Sequence, residues 1–97
     1  MKYSLHLYVT GQTGHSQVAI YNLTHICEQL IPGHYEIEVV DVLENPQRAE
    51  DEKILATPTL IRHRPQPRIK LVGDLSDHER VIIGLGLSSL MKPSREL

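Results

Sequence analysis

A proline set between a helix end and an apolar strand does most to limit how this chain can fold. Ile54-Leu55-Ala56-Thr57-Pro58-Thr59-Leu60 reads as the close of a helix, a proline turn and a strand entering a core. Pro58 thus fixes how the chain enters that strand. An earlier loop, Gly11-Gln12-Thr13-Gly14-His15-Ser16, holds no cysteine, and the 97-residue chain has only Cys27. A lone thiol forms no internal disulfide and fits a reducing, cytoplasmic compartment.

The length predicts a single domain over 1–97, with 91–97 as a frayed tail. Net charge is −2, without the basic excess of a nucleic-acid footprint. No apolar run reaches the roughly 18 residues of a membrane span. The alternation begins at once after Met1, which is not how a signal peptide starts. Trp and Phe are absent, so the core is aliphatic with four Tyr as its aromatics.

Tyr3, Leu5, Leu7 and Val9 alternate with Ser4, His6 and Tyr8, predicting a first strand. Gly11 and Gly14 open a turn, and Ser16 is placed to cap a helix. Ile20, Leu23, Cys27 and Leu30 recur at helical spacing, predicting about four turns that stop at Pro32-Gly33. Tyr35, Ile37 and Val39 alternate with Glu36 and Glu38 in a second strand through Val42. A helix of this length between two strands predicts a parallel pair with a right-handed crossover. Asn45-Pro46 starts a short charged helix through Lys53, with Ala49, Ile54 and Leu55 as its apolar side. Thr59 to His63 and Ile69 to Val72 form a hairpin around Arg64-Pro65-Gln66-Pro67. Ser76-Asp77-His78-Glu79 reads as a capping box for a last helix that turns Val81, Ile82 and Leu85 inward.

Val81 to Leu87 carries mixed signals. Val81, Ile82 and Ile83 favour strand, and Gly84 and Gly86, taken as interior to the helix, each cost it about 1 kcal/mol against alanine. Such conflict is expected where two packings lie close in energy. A helix that packs closely through its glycines is the plainer reading.

Most motifs carry little chemistry. Cys27 sits on the apolar helix face and reads as core, not nucleophile. His6, His15, His25, His34, His63 and His78 show neither i, i+4 nor H-x-H spacing, so no metal site is expected. Glu44, Glu50, Asp51 and Glu52 read as a solvated helix face rather than paired catalytic carboxylates. Gly11-x-x-Gly14 lacks the lysine and glycines of phosphate loops and reads as an ordinary turn. Lys53, Arg62, Arg64, Arg68 and Lys70 surround the proline turn and hairpin. They form either a basic patch for an acidic protein partner or charges that protect a sheet edge. No cofactor and no catalytic residue is expected.

The order β-α-β-α-β-β-α with a proline turn before the third strand resembles thioredoxin-like domains. There, such a turn carries a cis proline facing a Cys-x-x-Cys pair. Leu7-Tyr8-Val9-x-Gly11-x-Thr13, Val40-Asp41-Val42-Leu43 with Asn45-Pro46-Gln47-x-Ala49-Glu50, Lys53 to Leu60, and Gly73-Asp74-Leu75-Ser76-Asp77 together resemble the KaiB family of clock proteins. That resemblance spans Leu5 to Leu87. It implies a non-catalytic regulator with two folds, a tetrameric βαββααβ state and a monomeric thioredoxin-like βαβαββα state. The second state docks on a KaiC-like ATPase, with KaiA-like and histidine-kinase proteins as further partners, and favours KaiC dephosphorylation. By position, the resemblance assigns docking to Lys53, Arg62 and Lys70, and switching or structural roles to Pro58, Gly84 and Gly86. Val18, Glu38, Glu44 and Gly86 depart from the residues usual in cyanobacterial members. The reversals at Glu38 and Glu44 support an alternative, a stress-response adaptor that does not use KaiC. A thiol-redox enzyme is the remaining alternative.

Overall fold

The computed structural model describes residues 2–90. The tail expected to fray, 91–97, lies outside the described residues. The chain runs β1 (Tyr3–Val9), α1 (Gly14–Leu30), β2 (Tyr35–Asp41), α2 (Pro46–Asp51), β3 (Thr59–Arg64), β4 (Ile69–Val72) and α3 (His78–Gly84). A 3₁₀ turn follows at Ser88–Leu90. This is the βαβαββα order, in a four-stranded sheet arranged β2-β1-β3-β4. β1 and β2 are parallel, with Leu5 opposite Ile37. β3 runs antiparallel to both β1 and β4.

Strand alternation sorts side chains to two faces. One face carries Leu5, Leu7 and Leu60, buried against Ala19 and Leu23 of α1 and Val81 of α3. Each fully buried leucine contributes about 1.5–3 kcal/mol of transfer free energy. The opposite face holds a smaller cluster of Tyr8, Val40 and Ile61, edged by Val42 and Ile54. α2, which lies between Val42 and Ile54 in the chain, has no buried residue of its own.

Several element ends differ from expectation. Thr13, not Ser16, caps α1: its hydroxyl accepts from the Ser16 N–H at 3.2 Å and donates to the Ser16 hydroxyl at 2.9 Å. Ser16 is buried inside the first turn. α2 ends at Asp51 instead of Lys53, and β2 at Asp41 instead of Val42. Leu55, expected on the apolar side of α2, is 96% exposed. Asp77, not Ser76, caps α3 by accepting from the Arg80 N–H at 3.2 Å. The Ser76 N–H instead donates to Asp74 Oδ1 at 3.0 Å.

The largest difference lies at Gly86. α3 stops at Gly84, so Gly86 is outside the helix, with φ +76°. The Gly86 N–H reaches the Ile83 carbonyl at 3.0 Å and the Leu87 N–H the Ile82 carbonyl at 2.9 Å. That pair of bonds is a Schellman motif, whose left-handed position favours glycine. It turns Leu87 back into the core, where it is 2% exposed. Gly84 stays helical, with Leu71 packed where a side chain would begin. The strand-favouring run Val81–Ile83 is helical because an Asp77 cap and a glycine stop enclose it and Val81 is buried.

Candidate docking site

The parallel strands β1 and β2 end on the same edge of the sheet, beside the entry to β3. Three loops meet there. Asp41 Oδ1 accepts from the Gly11 N–H at 3.0 Å and the Leu43 N–H at 2.9 Å, tying the loops after β1 and β2 together. The Thr10 and Thr57 hydroxyls are 2.5 Å apart, which joins the third loop. Thr57–Pro58 is cis, as are Arg64–Pro65 and Gln66–Pro67. Thr59 Oγ1 donates to the Ala56 carbonyl at 2.5 Å and closes the turn.

The site has no thiol chemistry. Cys27 lies well along α1 and is 0% exposed. Burial, followed by the neighbouring Glu28 charge, pushes its thiol up to about 12. It is a core residue without appreciable thiolate at neutral pH. Among the described residues, no group of three or more His, Cys, Asp or Glu is arranged to hold a metal ion.

The basic residues separate into different roles. Lys53 is exposed at the turn after α2, with φ +56°, a left-handed conformation uncommon for a residue with a side chain. Lys70 Nζ donates to the carbonyls of Glu52 at 3.0 Å and Lys53 at 3.2 Å. It thereby fastens the turn that presents Lys53, and its cation sits at the negative end of α2. Arg68 pairs with the Glu52 carboxylate beside it. Arg62 does not belong to this surface. Its register turns it to the α3 side of the sheet, where it is 6% exposed and bonded to two backbone carbonyls. A single position in a strand decides whether an arginine meets solvent or core, and β3 places Arg62 on the same face as Leu60.

The exposed part of the edge is basic and apolar together. Leu55 projects two residues beyond Lys53, and Leu43, 68% exposed, lies in the loop after β2. Thr10, Val42, Pro46, Ala49, Ile54 and Ala56 line a shallow groove that Leu55 borders. Adjacent apolar residues at a turn commonly split, one in and one out. Ile54 packs towards Tyr8 and Ile61, which leaves Leu55 in solvent.

A second polar cluster sits nearby on the sheet face. Arg48 Nη1 and Nη2 donate to the two oxygens of Glu38 at 2.7 and 3.0 Å. His6 Nε2 is 3.5 Å from the same carboxylate, and its ring lies 4.2 Å from that of His63. The Arg48 guanidinium holds the Glu38 carboxyl below the usual range. Burial first, then the His63 ring, hold His6 below its ordinary value. The sequence shows His6, Glu38, Arg48 and His63 as unrelated residues, and no spacing signal joins them.

These features define a thioredoxin-like α/β protein without the cysteine pair of a redox centre. The fold is shared with the N-terminal domain of Synechococcus elongatus SasA (TM-score 0.74, 23% identity, covering 95% of this chain and 90% of that one). It is shared also with chloroplastic thioredoxin z (TM-score 0.71, 18% identity, covering 91% and 80%). The model of the KaiB domain matches residues 6–87, and the chain belongs to the KaiB family. It is 55% identical over 85 residues to a circadian clock oscillator protein KaiB from Acaryochloris marina, covering 88% of this chain and 82% of that one. To the circadian clock protein KaiB3 of Synechocystis it is 48% identical over 83 residues, covering 86% and 81%. These relatives are named as clock proteins and not as enzymes. No helix among the described residues is long and apolar enough to cross a membrane.

Proposed function

We propose that this chain is a non-catalytic regulatory binding protein that docks on a KaiC-like ATPase and favours its dephosphorylation. One observation carries the proposal. On a scaffold whose only thiol is inert, the edge that would hold redox chemistry presents a fastened, solvent-exposed Lys53 beside a fully projecting Leu55. A cation next to an aliphatic anchor suits an acidic protein surface with an apolar recess. Lys53 and Leu55 make the contact, Lys70 holds the turn in place, and Arg62 takes no part. The whole chain, 1–97, acts as one unit in the cytoplasm. KaiA-like or histidine-kinase proteins are further partners, and the chain associates with itself as a dimer or tetramer when not docked.

The alternative of an adaptor independent of KaiC drew on charge reversals at Glu38 and Glu44. Glu38 is engaged by Arg48 within the chain, so its charge is largely matched at home. The test is co-elution with a KaiC homologue and ATP. Lys53→Glu reverses a charge at the contact and is expected to weaken binding at least about tenfold, as is Leu55→Ser. Unchanged affinity in both variants refutes the assigned face, and failure of the native chain to bind refutes the partner.

A further inference from the structure

Arg62 occupies a position where its charge is costly. It lies across from Leu5 on β1 and Ile69 on β4, on the face that packs against α1 and α3. Among the described residues no carboxylate lies within ion-pair distance, and its Nε–H finds no acceptor. A buried cation without a counter-ion needs other compensation. Here that compensation comes from two backbone carbonyls on different elements. Nη1 donates to the Leu85 carbonyl at 2.7 Å, at the end of α3. Nη2 donates to the Pro67 carbonyl at 2.7 Å, in the β3–β4 turn. The planar guanidinium spans both at once, a geometry that an ammonium does not reproduce.

The surroundings fit this bridge. A Cβ at position 86 would come within 3.1 Å of Arg62 Nη1, so the glycine of the Schellman stop also leaves room for the guanidinium. Leu85 and Leu87, on either side, are buried. If the end of α3 lifts, the guanidinium loses the Leu85 carbonyl while keeping that of Pro67 in its own hairpin. Both it and the Leu85 carbonyl gain water, and the two leucines lose their burial. The closed arrangement satisfies one set of groups and the open one hydrates it, with little gained at half-opening.

We propose that Arg62 is a conformational latch, making attachment of the end of α3 to the β3–β4 hairpin an all-or-none event and setting how often that end is released. The latch is a property of this chain alone. That the released state leads to a second packing of the C-terminal half rests on the two-fold reading of the family resemblance.

Hydrogen exchange read residue by residue on the full chain tests the latch without any partner. Arg62→Lys keeps the charge but loses the planar bridge, and Arg62→Met keeps the stem but leaves both carbonyls without a donor. Both variants are expected to speed exchange at the Leu85, Gly86 and Leu87 amides by at least about tenfold, the loss of a charge-assisted bond. The Leu5 and Leu7 amides of β1 are expected to hold their native rates. Unchanged exchange at Leu85–Leu87 in both variants overturns the latch. So does an equal acceleration at β1, which marks a general stabilising role. Failure of the native chain to dock on the ATPase, with Leu85–Leu87 exchange quickened in the Arg62 variants as expected, counts against the docking proposal and leaves the latch standing.

Discussion

α1 and α3 pack on the same face of the sheet by different physics. α1 has 17 residues, and its buried Ala19, Leu23, Ile26 and Cys27 form a continuous apolar stripe. α3 has seven residues, of which only Val81 is buried. The burial that α3 lacks comes after it, through Leu85 and Leu87, and depends on a glycine in the left-handed region. Polar ties do the rest: Arg62 at the end of α3, and Asn22 Nδ2 donating to the Asp74 carbonyl at 3.0 Å before its start. A stripe tolerates small errors because its contribution is spread over many contacts. An attachment built from a cap, a glycine and one buried cation fails when one of them fails. α1 is thus held by a continuous apolar stripe, and the end of α3 by a few separate ties.

The largest effect that sharpens this contrast is expected in α1. Leu23→Ala removes a fully buried side chain from the stripe and is expected to cost about 2–5 kcal/mol. Denaturant unfolding should show one lowered transition, and exchange should quicken in β1 as well as in α1. Loss of protection confined to α3 would break the contrast.

Smaller effects of opposite sign are expected at two neighbouring glycines. Gly86→Ala forces a side chain into φ +76° and is expected to cost about 1–2 kcal/mol, with exchange rising first at Leu85–Leu87. Gly84→Ala meets only Leu71, whose Cδ1 lies 2.9 Å from the new Cβ. Those atoms are the free end of a half-buried side chain and can swing aside, so the gain in helix propensity, up to about 1 kcal/mol, prevails. Unfolding midpoints that shift the same way in both variants would refute the assignment of one glycine to the helix and the other to its stop.

The smallest effect is a pH slope on the other face of the sheet. His6 is held below its ordinary value of 6.5, by burial first and His63 second. As pH falls through that ordinary value, the unfolded chain takes up a proton before the folded one. Stability is therefore highest above it and declines towards acid. Glu38, held down by Arg48, acts in the same direction at lower pH, weakly because the pair is exposed. His6→Gln is expected to flatten the change in urea midpoint between about pH 7.5 and about pH 5.5. An unaltered slope removes His6 from this role.

The sequence by itself determined the order of elements, the parallel β1–β2 crossover, the apolar face of α1 and the inert position of Cys27. These follow from local periodicity and turn chemistry, which a run of neighbouring residues carries in full. It also exposed the conflict at Val81–Leu87, though not that Gly86 ends the helix. Only the tertiary structure decided what the basic residues do. Lys53, Arg62 and Lys70 look alike along the chain, yet one meets solvent, one is sealed against α3, and one supports a turn 17 residues away. The His6–Glu38–Arg48–His63 cluster and the outward Leu55 were likewise decided by folding. Strand register and the meeting of distant loops place each charge in water or in the core, and that choice sets its free energy and its role.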